Sequence, residues 1–237
     1  MLERPSLRVA ATLLLAGELL SLVGLLHPGR EQANNHPAVF AEYAASATWT
    51  AVHFGQFAST AIILAGLLAL FYALNVQTGG LRWVGLFAAV SAVVTMGLTA
   101  VLQAVDGVAL KQAVDAWVGA PEAEKTARFA TAEAIRWLEW GVRSYQRCML
   151  GVSLLLFAVL LVRTAPIPMA IGYLAGLTGL AYLGQAFVVG SEGFSPNGTA
   201  VSLLALALEP VWIIWLFVVA SREAVLAPAS PAAAPTG

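Results

Sequence analysis

The chain has 237 residues, of which 59% are hydrophobic and only 11% charged, with 12 basic and 13 acidic side chains. Soluble domains carry about 25% charged residues, so this chain lacks the polar surface a water-soluble fold needs, and a bilayer must be its solvent. A net charge of −1 gives no electrostatic footprint for nucleic acid, and the single cysteine, Cys148, excludes an internal disulfide framework and a cysteine-based zinc site.

At the N-terminus, Arg4 and Arg8 precede "VAATLLLAGELLSLVGLL". That run is too long for a signal-peptide core and has no small-x-small cleavage site before "HPGR", so it reads as a retained first span. Five further apolar runs follow, giving spans at about 8–27, 50–75, 83–105, 147–163, 167–190 and 200–221. They lack the period-2 alternation of membrane barrel strands. The expected fold is therefore all-α, a polytopic bundle of six transmembrane helices in one domain covering residues 1–223.

The connections differ. Residues 28–49 read as a polar loop broken by Pro28 and Pro37, while 76–82 and 164–168 read as tight turns. Residues 106–146 form a long charged third loop. Within it, 121–146 has the pattern of an amphipathic helix, with Pro121 at its start and Glu122 and Glu124 at the positive end of the dipole. Glu133, Arg136, Trp140 and Arg143 share a face, so Glu133–Arg136 and Glu139–Arg143 are expected pairs on a solvated or interfacial surface. The Ala/Pro-rich tail, 224–237, reads as disordered. Arg4, Arg8, Arg82, Arg163 and Arg222 fall on the side of the two termini, against Arg30 in loops 1 and 5, which places both termini in the cytoplasm of a bacterial inner (plasma) membrane.

Ionisable groups inside spans are costly, at roughly 2.5–3.5 kcal/mol each, and therefore informative. Glu18 lies nine residues inward from His27, and Glu209 ten inward from Thr199. At 1.5 Å per residue both sit roughly 13–15 Å deep. His53 and Gln56 open the second span, Gln103 and Asp106 close the third, and Glu139 leads into the fourth. The opposite halves of the spans are nearly free of polar groups. A transport path would need them along the whole crossing or at the midplane with access from both sides. The pattern implies a cup, open outward and sealed inward.

The expected ligand-binding set is His53, Gln56, Gln103, Asp106, Glu139, Glu18 and Glu209, and an amphiphile, polar head among these groups and apolar tail between spans, fits it. Membrane lipids are the other expected partners. A competing reading is an enzyme acting on a lipid or isoprenoid, with His53 as base and Asp106 or Glu209 as acid. A third is a structural subunit of a membrane complex. No phosphate loop, nucleophile elbow or His-Glu-x-x-His pair is present. No metal site is assigned, and no cofactor can be named; a haem would need a second histidine within a span. His27 and His36 each precede a proline and read as structural loop residues.

The segments "HPAVFAEYAASATWTAVHFGQF", "LQAVDGVALKQAVDAWVGAPEAEKTARFATAEAIRWLEWGVRS" and "VGSEGFSP" resemble a widespread group of bacterial six-span membrane proteins filed as a domain of unknown function. The resemblance covers about residues 8–221 and implies a six-helix integral membrane protein. It carries no catalytic residues to transfer.

Overall fold

The structure, a computed structural model, describes residues 2–29, 31–76, 79–164 and 167–225. Helix α1 (Arg4–Ser21) tightens into a 3-10 turn, Leu22–Leu26. Helices α2 (His36–Ala45) and α3 (Trp49–Leu74) follow. Helix α4 (Gly79–Gln103) continues through a π-helical turn, Ala104–Leu110, into α5 (Lys111–Val118). Helices α6 (Glu122–Arg163), α7 (Met169–Glu192) and α8 (Pro196–Val225) complete the fold. No strand occurs among the described residues.

Six helical stretches are long and apolar enough to cross a membrane: Arg4–Leu26, Trp49–Leu74, Gly79–Val118, Glu122–Arg163, Met169–Glu192 and Pro196–Arg222. Each packs on its neighbours in sequence, and α8 closes the ring against α1. The start of α1 and the end of α8 lie at one end of this bundle, and the 3-10 turn, α2 and the α4–α6 connection lie at the other, the distal end. The ring interior is apolar towards the opposite end, where Leu14, Leu67, Leu70, Phe157, Leu161, Ile171, Ile213 and Leu216 are buried.

The third connection departs from expectation. Instead of a loop over 106–146, only residues 119–121 separate two helices. Alanine, glutamate, lysine and arginine dominate the stretch, and all are strong helix formers. Helix α6 begins with Glu122 and Glu124 in its first turn and ends with Arg163 in its last, complementing its dipole at both ends. Its 42 residues span about 63 Å, roughly twice the hydrocarbon thickness of a bilayer. The amphipathic stretch is thus coaxial with the fourth span.

The first connection also contains a helix, α2. It packs with α5 and the first half of α6 into a distal cap around Val39, Phe40, Tyr43, Trp49, Leu110, Val114 and Ala132. Helix α8 extends through Val225; the rest of the expected tail lies outside the described residues, as do Arg30, Gln77, Thr78, Ala165 and Pro166.

Helices α6 and α7 approach backbone to backbone. A Cβ on Gly151 would lie 2.7 Å from the Gly179 carbonyl oxygen, and one on Gly179 would lie 2.9 Å from that of Gly151. Small residues permit this approach inside a membrane. Gly151→Ala is expected to cost about 1–3 kcal/mol through overpacking, seen as an earlier unfolding midpoint in detergent. At Gly97 a Cβ would meet nothing within 4 Å, and Gly97→Ala should leave the midpoint unchanged or slightly raised.

Candidate functional site

At the distal end, ionisable side chains from four elements form a continuous chain of alternating charge. His53, on the first turn of α3, donates from Nδ1 to the Trp49 carbonyl at 2.8 Å, and its ring stacks on the Trp49 indole. Its Nε2 faces Asp106 Oδ2 at 3.4 Å. Asp106 lies in the π turn, and the same Oδ2 accepts from Arg143 Nη2 at 2.9 Å. Arg143 also donates to Glu139 Oε1, from Nη2 at 3.1 Å and from Nε at 3.3 Å. The second Glu139 oxygen accepts from Arg136 Nη1 at 2.5 Å, and Arg136 Nη2 donates to the Tyr43 hydroxyl of α2 at 3.1 Å.

The π turn creates this geometry. Such turns displace one residue from the α-helical ladder and recur at functional sites. Within the turn, the Gly107 carbonyl accepts from Trp49 Nε1 at 2.9 Å. A Cβ on Gly107 would stand 2.9 Å from the His53 Cβ, so glycine lets α3 approach close enough for the imidazole to reach Asp106.

The α6 face is not solvated. Arg136 is 2% exposed and Glu139 fully buried, because α2 and the loop before α8 cover them. Glu139–Arg143 forms as expected, whereas Glu133 bonds His36 Nδ1 at 2.8 Å and Arg136 turns to Glu139. Phe194 lays its ring against both guanidiniums, 4.7 Å from Arg136 and 5.3 Å from Arg143. Burial pushes the Tyr43 phenol above its usual value, opposed by the neighbouring Arg136, so it stays a neutral partner.

Every member of this charge chain except His53 lines a cavity of about 840 Å³, which Gln56, His27, Ser195 and Thr199 also line. His27 enters it from the turn after Leu26, its ring centroid 5.1 Å from Trp49 and 5.3 Å from His53. Its Nδ1 lies 2.6 Å from the Pro28 carbonyl and must carry the proton, which leaves Nε2 as a lone pair. Burial holds the His27 imidazole below its usual value, and hence neutral. Among the described residues, Arg143 Nη1 has no hydrogen-bond partner, so the wall also offers one guanidinium donor.

Of the seven residues expected from the sequence, His53, Asp106 and Glu139 join in the charge chain and Gln56 lines the cavity. Gln103 lies outside that cavity, in a largely apolar groove of about 410 Å³ that His53, Phe54, Phe57 and Val108 also line. Glu18 and Glu209 line neither space; Glu209 accepts a short hydrogen bond from Tyr182 deeper in the bundle. Sequence reasoning missed His27, Tyr43 and Phe194, which lie in or beside connections. It left Arg136 and Arg143 on a solvated face, although their spacing about Glu139 carried the signal. Among the described residues, no three His, Cys, Asp or Glu side chains are placed to hold a metal ion.

The chain matches no protein-family model, no curated protein and no solved structure. Its chemistry must therefore be argued from its own side chains.

Glu139 partners two guanidiniums at once. Removing one member of a buried ion pair leaves the other charge uncompensated, so Glu139→Ala is expected to cost about 3–5 kcal/mol. Tyr43→Phe deletes one acceptor and should cost only about 0.5–1.5 kcal/mol. Parallel unfolding measurements on the two variants test that ranking.

Proposed function

We propose that this is a bacterial plasma-membrane protein that binds or senses an amphiphile in a cavity open at the distal end. In this reading both termini are cytoplasmic, as the basic residues at that end favour, and the cap sits at the outer interface. The likeness to six-span bacterial proteins, carried by the three sequence segments, belongs to the same proposal.

One observation carries the reading. The polar cavity shares Phe194, Ser195 and Thr199 with a smaller space of about 170 Å³, whose other walls include Val189, Leu203 and Leu206 of α7 and α8. A polar head fits the first space and the start of an apolar chain fits the second. Small-molecule sites characteristically combine apolar walls with a few convergent polar groups.

The charges narrow the head group. Asp106 and Glu139 are already balanced by Arg136 and Arg143. A head with net charge would leave one buried charge uncompensated. An uncharged or zwitterionic head avoids that penalty, donating to His27 Nε2 and accepting from Arg143 Nη1. The acid/base reading has less support, since both His53 nitrogens face protein acceptors and the ring is only 3% exposed.

Native mass spectrometry of the protein taken from its own membrane tests the proposal. A bound small molecule or lipid is expected on the wild type. It should be lost in His53→Ala and Asp106→Asn, with helicity by circular dichroism retained. Wild-type protein carrying no adduct would overturn the reading.

A further inference from the structure

A second cluster of ionisable groups lies deeper in the ring, apart from the cavity, and the proposed function does not use it. Four helices supply it: Glu18 from α1, Arg147 from α6, Tyr182 from α7 and Glu209 from α8. The Tyr182 hydroxyl donates to Glu209 Oε2, and Tyr182 and Glu209 are both more than nine-tenths buried. Arg147 lies over the Tyr182 ring, its guanidinium carbon 4.8 Å from the centroid, within electrostatic reach of Glu209. Glu18, half-buried on the helix that closes the ring against α8, lies within electrostatic reach of both Glu209 and Tyr182. Helix α3, the other neighbour of α1, contains no Asp, Glu, Lys or Arg, and its Ser59 hydroxyl is spent on the Gly17 carbonyl at 2.9 Å.

The surroundings are apolar. Leu19, Leu20, Leu206, Val211 and Ile214 face outward from α1 and α8 on either side of the carboxyls in sequence. Three buried polar atoms here have no partner among the described residues: Arg147 Nε, Gln185 Oε1, one turn from Tyr182, and Trp212 Nε1, one turn from Glu209. Gln185 and Trp212 are more than nine-tenths buried. Pro210 follows Glu209 within α8 and, lacking an N–H, leaves the Leu206 carbonyl without its helical donor.

The charges in this cluster do not balance. Two carboxyls face one guanidinium, and the phenol is neutral. If both carboxyls were ionised, one net negative charge would stand uncompensated in hydrocarbon, where ionisable groups persist only when paired or neutralised. Glu209 already has two groups that stabilise its carboxylate, the Tyr182 hydroxyl and Arg147. Glu18 has no hydrogen-bond donor to its carboxyl among the described residues. A metal cation is poorly served, because among the described residues no third carboxylate or histidine completes a ligand set, and Arg147 already supplies positive charge.

We propose that the Glu18–Glu209 pair is a proton-binding site holding one exchangeable proton, carried on Glu18, with Glu209 kept as the carboxylate partner of Tyr182 and Arg147. Polar side chains, their hydroxyls donating to backbone carbonyls, lie between the site and the cavity. Thr199 lines the cavity, Ser202 follows one turn along α8, and Gln185 Nε2 donates to Ser202 Oγ at 2.6 Å one turn from Tyr182.

Dicyclohexylcarbodiimide, an apolar reagent that adds to protonated carboxyl groups, tests the proposal on the full chain in detergent, with peptide mass spectrometry to locate the adduct. At neutral pH, labelling is expected on Glu18 and should fall as pH rises. In Glu209→Gln the neighbouring negative charge is removed, Glu18 gives up its proton more readily, and labelling should drop several-fold. In Arg147→Gln, which removes the positive charge beside Glu209, labelling of the carboxyl pair should increase and persist to higher pH. These opposite responses separate a shared proton from general loosening of the bundle, which would raise labelling in both variants. An unreactive Glu18 in the wild type, or labelling indifferent to Glu209→Gln, would overturn the proposal. So would protection by sodium ions at constant pH, which would mark a cation site instead.

Discussion

The distal half of the protein depends on the buried chain His53–Asp106–Arg143–Glu139–Arg136–Tyr43. Each member has its partner only when another element is in place. Asp106 requires the π turn, Arg136 requires α2, and His53 requires the close pass of α3 over Gly107. Stripping water from two carboxylates and two guanidiniums is expensive, and their mutual attraction repays it only with good geometry. Partial assembly would leave an orphaned charge, so the cap is held to one arrangement of its helices. Networks of this kind are stable when complete and costly when broken. The same chain leaves the Arg143 Nη1 donor beside the His27 lone pair at the cavity, so one interaction fixes the architecture and the recognition surface together.

The six spans were legible because about 20 apolar residues in a row have few other uses. The helices of the cap were not. Residues 111–146 carry the same alternation of charge and alanine whether their inner face meets water, a membrane surface or another part of the chain. Burial of Arg136 and Glu139 depends on α2, which lies some ninety residues earlier, and no local pattern reports that contact. Depth counting placed Glu18 and Glu209 at one level, and the structure brings them within electrostatic reach of each other. Depth carries no azimuth, however. It could not tell that these two meet Tyr182 and Arg147 on one side of the ring while His53 and Asp106 meet Arg143 on another. His27 escaped notice because a histidine before a proline in a loop reads as local structure, and its value comes from rings that approach it through space.

Helix α6 connects the two ionisable clusters. It carries Arg136, Glu139 and Arg143 in the upper one and Arg147 in the lower, one turn beyond. It also makes the close backbone crossing with α7 at Gly151 and Gly179. A change in its tilt would act on both clusters, since a continuous helix cannot shift one turn independently of the next.

The π turn gives the chain a fixed phase. Each residue of an α-helix turns the backbone by about 100°. Loss of one residue between Ala104 and Leu110 would let the turn relax into ordinary α-helix. Because a π turn holds one residue more than an α-helix needs for the same rotation, Lys111 to Val118 would keep nearly their phase relative to α4, and Val114 its place in the cap. Asp106 and Gly107, inside the turn, would be the residues re-aimed away from His53 and Trp49. Related chains that share this cap should therefore keep the spacing between Gln103 and Lys111 unchanged, even where their loops vary in length.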